Sequence, residues 1–140
     1  MSEAKRLFTR AIEIGEKHFN LDHPQLAIYY SNLGGVEHGL GNLSEAKRLL
    51  RRAIEIYEKH FEADHPQLAI YYSNLSAVEL DLGHLEEAIL LTRKAFLIFL
   101  RAELYESAKG ELNWLRKCDP NIEAFLAEIG ITLPQDGEAG

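Results

Sequence analysis

Residues 44–85 read SEAKRLLRRAIEIYEKHFEADHPQLAIYYSNLSAVELDLGHL, and residues 2–43 read SEAKRLFTRAIEIGEKHFNLDHPQLAIYYSNLGGVEHGLGNL. The two stretches align without a gap and differ at only ten of 42 positions. A third copy opens at Glu86 as EEAILLTRKAFLIFL and decays soon after. A fixed period of roughly 20 to 50 residues marks a solenoid, a stack of units that each touch only their neighbours. Such a stack presents one long surface, so the chain is expected to hold a partner rather than transform a substrate.

Each unit reads as two helices. In the second copy Ala46, Leu49, Leu50, Ala53, Ile56, Tyr57 and Phe61 recur at helical spacing. Ser44 precedes that run as an N-cap candidate, and Glu55 stands four residues before Lys59, the favourable order for a helical ion pair. Leu68, Tyr72, Leu75, Val78 and Leu82 form the stripe of the other helix. Asp64-His65-Pro66 opens that helix: an acidic cap, then a proline whose missing N–H is harmless in the first turn. Gly83 supplies the left-handed residue that ends it. No segment alternates with period two, so the fold class is all-α.

These residues carry a resemblance. Tyr72, Leu75, Ser76, Gly83, Ala88 and Ala95, matched one copy earlier by Tyr30, Leu33, Gly34, Gly41, Ala46 and Ala53, follow the tetratricopeptide repeat pattern. That pattern runs large residue, Leu, small residue, Gly, Ala, Ala. The usual repeat has about 34 residues. This longer one, with DHPQLA before YYSNL, is similar to the repeats of kinesin light chains and of many bacterial signalling proteins. The resemblance covers residues 2–99 and implies a right-handed α-solenoid of antiparallel helix pairs. Two departures stand out. Glu37 and Glu79 occupy a place where the family commonly has Tyr, facing a neighbouring helix, and a carboxylate buried there needs a partner from the Lys/Arg-rich helices. The chain also opens in a second helix with no first helix before it, which reads as the C-terminal excerpt of a longer array.

The expected organisation is a first unit at 1–43, a second at 44–85, a partial third at 86–101, capping helices at 102–133 and a disordered tail at 134–140. Within the cap, 103–117 forms a helix with Leu104, Ala108, Leu112 and Leu115 on one side. Trp114, 42 residues after Tyr72, then falls where the family often has Trp. Asp119-Pro120 starts a last helix bearing Ile122, Phe125, Leu126 and Ile129, stopped by Gly130.

Composition narrows the function classes. The formal charge of −7 argues against a general binder of nucleic acid or anionic membranes. Cys118 is the only cysteine, so no intrachain disulfide exists. The longest apolar run, 95–100, is far short of a membrane span, and the N-terminus lacks the apolar core of a signal peptide. A cytoplasmic location is the default expectation.

Chemistry finds no foothold. His18 with Asp22-His23, and His60 with Asp64-His65, straddle a proline turn rather than sharing a helix face, so no metal site is expected. Cys118 has no assembled base, Ser31 and Ser73 sit in no nucleophile elbow, and GGVEHGLG matches no phosphate loop. No catalytic residue and no cofactor are expected.

Charge partition is more informative. Every Lys and Arg up to residue 101 lies in a second helix, whereas 20–43 and 62–85 contain none and hold Asp22, Glu37, Glu62, Asp64, Glu79 and Asp81. The family resemblance places first helices along a concave groove, which is then neutral to acidic. Helical spacing assigns to that groove Ile70, Ser73, Asn74, Ala77, Leu80 and Asp81, and one copy earlier Ile28, Ser31, Asn32, Gly35, His38 and Gly39. Asn32 and Asn74 match the second of the paired Asn that kinesin light chains use against peptide backbones, since an amide both donates and accepts. Equally, stacked Asn could satisfy each other between units. With no Lys or Arg the groove lacks the carboxylate clamp of chaperone-binding members, so a neutral, basic or apolar protein segment is the expected partner. Two other readings stay open: a structural spacer or array self-associating through the N-terminal helix, and an accessory segment of a larger signalling ATPase.

Overall fold

The computed structural model describes residues 2–131, so the tail expected at 134–140 lies outside the described residues. They form α1 (Ser2–His18), α2 (Pro24–Gly39), α3 (Leu43–His60), α4 (Pro66–Asp81), α5 (Leu85–Arg101), α6 (Tyr105–Cys118) and α7 (Ile122–Glu128). Packing is almost wholly between consecutive helices, closest for α2 on α3 and for α4 on α5. That is an all-α solenoid, in which α2, α4 and α6 are first helices and α1, α3, α5 and α7 second helices.

Helix ends follow the repeat, with two corrections. Gly41 and Gly83 take φ of 83° and 86°, letting the Asn42 and His84 N–H groups close on the Glu37 and Glu79 carbonyls at 2.9 and 2.8 Å. The cap of α2 and α4, however, is a histidine, not the expected aspartate. His23 and His65 each accept at Nδ1 the N–H two residues on, from Gln25 and Gln67, at 3.0 Å. Asp22 instead meets Lys59 at 2.5 Å, which leaves Glu55 to Arg52 at 3.7 Å. Nor does Ser44 cap α3: that helix starts at Leu43 after Asn42, whose amide donates to the Glu37 carboxylate at 3.1 Å.

The link from α5 to α6 breaks the 42-residue period. Glu103 adopts φ 60° and the Leu104 N–H closes on the Phe99 carbonyl at 2.9 Å, a glycine-type helix end built without glycine. Residues 102–104 thus replace the longer turn 61–65, and everything beyond shifts by two. Ala108, Leu112, Leu115 and Asp119 then stand in the places of Leu68, Tyr72, Leu75 and Glu79, all of them buried. Leu104 lies outside this stripe, exposed at the helix cap. Asp119 does not begin a helix; α7 starts at Ile122, and Asp119 holds it by accepting the Asn121 N–H at 3.0 Å and both Arg93 bonds at 2.7 and 2.9 Å.

The ten differences between the copies include matched replacements in the core. A Cβ on Gly34 would come within 3.0 Å of Leu50 Cγ. One unit later Ser76 and Thr92 occupy those places, hydrogen-bonded to each other at 2.7 Å, with Ser76 also donating to the Ala88 carbonyl at 2.9 Å. Similarly, a Cβ on Gly15 would meet Leu26 at 2.7 Å, whereas its counterpart Tyr57 packs edge-on against Tyr71 and beside Phe61. Glycine sets a close helix approach in one unit, and larger side chains fill a wider one in the next.

Candidate protein-binding groove

First helices lie side by side: α2 touches α4, and the Ser73 hydroxyl on α4 lies near enough to Glu111 on α6 to favour its ionised form. Along their open face Asn32, Gly35, Gly39, Ile70, Asn74, Ala77, Leu80 and Asp81 are exposed, as the helical spacing predicts. Ile28, His38 and Ser73 are half-buried. Ser31 is a correction: it is only 7% exposed and lines no groove. Its counterpart Ser73 explains why, because that position turns toward the first helix of the following unit.

Asn32 and Asn74 make no side-chain hydrogen bond among the described residues, to each other or to anything else. His38 and Asp81 are joined instead, Nε2 to Oδ2 at 2.6 Å, so the two units are tied across the groove near the C-terminal ends of α2 and α4. Both positions differ between the copies, and this bridge belongs to this one junction.

The carboxylates counted toward an acidic groove are mostly neutralised. Glu79, 1% exposed, meets Lys47 at 3.0 Å, Arg51 at 4.0 Å and His84 Nδ1 at 2.9 Å. Burial works to raise its pKa, but the bonds from His84 and Lys47 outweigh this and hold it below the ordinary carboxylate value. Glu37 is served likewise by Lys5 at 3.3 Å and by Asn42. The second helix of the preceding unit therefore supplies the partner that the sequence demanded. Glu111 is a carboxylate the sequence reading missed: burial raises its pKa, partly offset by the Ser73 hydroxyl. The groove is closer to neutral than the residue count suggests.

Sequence reasoning also misplaced Trp114. With the two-residue shift it stands in the place of Asn74 rather than Tyr72, half-buried at the groove end formed by α6. Only the non-glycine helix end at Glu103 could have signalled this, and glutamate in that conformation leaves no mark in sequence.

On the other side of α2 a cleft of about 610 Å³ opens between α1 and α3. Its polar groups are mutually engaged: the Tyr30 hydroxyl donates to Glu16 at 2.8 Å, and Arg48 binds Glu45 through two bonds. The same Tyr–Glu bond recurs between Tyr72 and Glu58 at 2.6 Å. No described helix is long and apolar enough to cross a membrane.

Comparison with known proteins agrees with this architecture. Residues 1–59 match the family model described as tetratricopeptide repeat. No curated protein matches the sequence. A crystal structure from Podosopora anserina, of nearly identical TPR-like repeats in a protein assigned as kinesin light chain, is 21% identical with a TM-score of 0.69, covering 96% of this chain and 70% of that one. A substituted form of the same protein is 20% identical with a TM-score of 0.68, over 93% and 68% of the two chains. At that identity the likeness shows a shared fold.

Proposed function

We propose that this chain, whose residues 1–59 match the tetratricopeptide repeat model, is a non-catalytic scaffold holding an extended segment of another protein against α2, α4 and α6. The observation that carries this reading is the pair of exposed amides, Asn32 and Asn74, free of side-chain partners on helices α2 and α4, which contain no Lys or Arg. Each is spaced to meet a peptide backbone, which offers the donors and acceptors an amide completes. Ile28, Ile70, Ala77 and Leu80 flank them with apolar surface, and Gly35 lets a chain approach α2 closely. Trp114 at the far end supplies the kind of rigid anchor that concentrates binding energy. Along α2 and α4 the preferred segment is apolar, neutral or basic, since the charge at that rim is Asp81, while α6 offers charges of both signs in Glu111 and Lys117.

The test is a selection of peptides from a random library on the intact chain, followed by affinity measurement on variants. Asn74→Ala should weaken the selected peptides by about 1 kcal/mol, roughly fivefold, with the unfolding midpoint unchanged. Equal affinity in the variant, or a fall in stability without a fall in affinity, would make Asn74 a packing residue and remove the basis of the groove.

A further inference from the structure

Carboxylates withdrawn from water in this stack come with a cation, with one exception among the described residues. Asp22, Glu37, Glu45, Glu79 and Asp119 are buried or half-buried, and each meets a Lys or Arg at 2.5 to 3.3 Å. Glu111 is half-buried and has no Lys or Arg in ion-pair range. The register set by the α5–α6 link gives it the place of Tyr71, an aromatic core position one unit earlier. Only the Ser73 hydroxyl of α4 works to keep it charged, and burial outweighs that hydroxyl. The lysines of its own helix do not answer it. At about 100° per residue, Lys109 and Lys117 leave α6 roughly 160° and 120° away from Glu111.

We propose that Glu111 sets the specificity of the groove by receiving a Lys or Arg side chain of the bound segment. This rests on the reading of the groove given above and adds one demand to it, a basic residue at one fixed place. Charge complementarity names the occupant, because a half-buried carboxylate without a counter-charge disfavours the free chain and an incoming cation removes that deficit. Trp114 stands three residues on, a neighbour on the same side of α6, and its ring offers a second attraction for a cation. It also holds the place that Asn74 holds on α4, so a backbone bonded to Asn32 and Asn74 runs on toward it. The amides accept any backbone; the carboxylate makes the groove choose among side chains.

Peptides selected from a random library on the intact chain, then measured against substituted chains, test this. The selected peptides should share a Lys or Arg at one position. Glu111→Gln should weaken them about tenfold, alanine in place of the basic residue should weaken them as much, and both changes together should do no more than either alone. Glu111→Lys should turn the preference toward an acidic residue. Trp114 is the single tryptophan, so its fluorescence should shift as the basic peptide binds. The free chain supplies an independent check: Glu111→Gln removes a stranded charge and should leave the urea midpoint equal or higher. Peptides that lose affinity with Asn74→Ala but share no basic residue, or that bind Glu111→Gln as tightly as the native chain, overturn this inference and leave the groove standing. A lower urea midpoint in Glu111→Gln does the same, by revealing a partner within the chain. A library that yields no peptide overturns the groove, and this inference with it.

Discussion

Replacing Glu79 by alanine removes the carboxylate on which Lys47, Arg51 and the His84 imidazole converge, and the structure sets the size of the effect. Breaking a buried pair by removing one partner costs about 3–5 kcal/mol when the other charge is stranded. Here the stranded groups retain some water: the side chain of Lys47 is 23% exposed, that of His84 52% and that of Arg51 56%. The expected loss is therefore smaller, about 2–3 kcal/mol. Glu37→Ala offers an internal control, because Lys5 is 45% exposed and Asn42 is neutral, so its loss should be near 1 kcal/mol. Urea unfolding at neutral pH, followed by circular dichroism, reads both. The pH dependence has a definite sign. Glu79 has a pKa depressed in the folded state, so its stabilisation is complete above the ordinary carboxylate pKa and fades as pH falls through the lower folded value. The gap between the native chain and Glu79→Ala should shrink once pH drops below about 4. A loss under about 0.5 kcal/mol, or one that is the same in acid as at neutral pH, would refute the view that the bonds from His84 and Lys47 hold this carboxylate ionised.

Two further perturbations probe different parts of the stack. Gly34→Ala brings a Cβ to 3.0 Å from Leu50 Cγ, whereas Gly35→Ala meets nothing within 4 Å; the second should raise the urea midpoint by about 0.5–1 kcal/mol of stability and the first should not, a contrast that vanishes if the close approach of α2 and α3 is illusory. Arg93→Ala strips Asp119 of its paired bonds and Phe125 of the guanidinium 4.8 Å from its ring centre, and should cost about 2–3 kcal/mol. Hydrogen exchange should then quicken over 105–131 while 24–60 keeps its protection; equal quickening in both would contradict a stack of neighbour-only contacts.

Much of this fold is legible in sequence because the repeat states each rule twice. Apolar spacing located each of the described helices through residues such as Leu68, Leu75 and Ile122, and Gly41 and Gly83 marked two ends. The buried glutamates were legible too, since a carboxylate at a helix-facing position creates a demand that only a neighbouring Lys or Arg can meet. What failed were choices between nearby candidates with equal local propensity. Asp64 and His65 both cap helices, and the histidine won because Nδ1 sits one residue closer to the proline turn. Ser44 lost to Asn42, whose backbone already closes the preceding helix. Trp114 and Ser31 were misread for a larger reason: their orientation depends on the link at Glu103 and on the following first helix, which no periodicity within their own helix encodes.

The pairing of Gly34 with Leu50, and of Ser76 with Thr92, crosses the boundary between sequence units, and that fixes the order in which units can follow one another. Suppose residues 44–85 were duplicated in tandem. Ser76 would then confront a second Leu50 instead of Thr92, losing its hydroxyl partner while its Cβ entered the space that only glycine leaves open. At the new junction Leu80 would stand where His38 stands, so the second Asp81 would find no bridging partner. The units look interchangeable as text, yet each junction is keyed like a connector that accepts its successor and rejects a copy of itself. Such a chain lengthens or shortens cleanly only where the key residues travel together, from the start of one first helix to the end of the second helix that follows it.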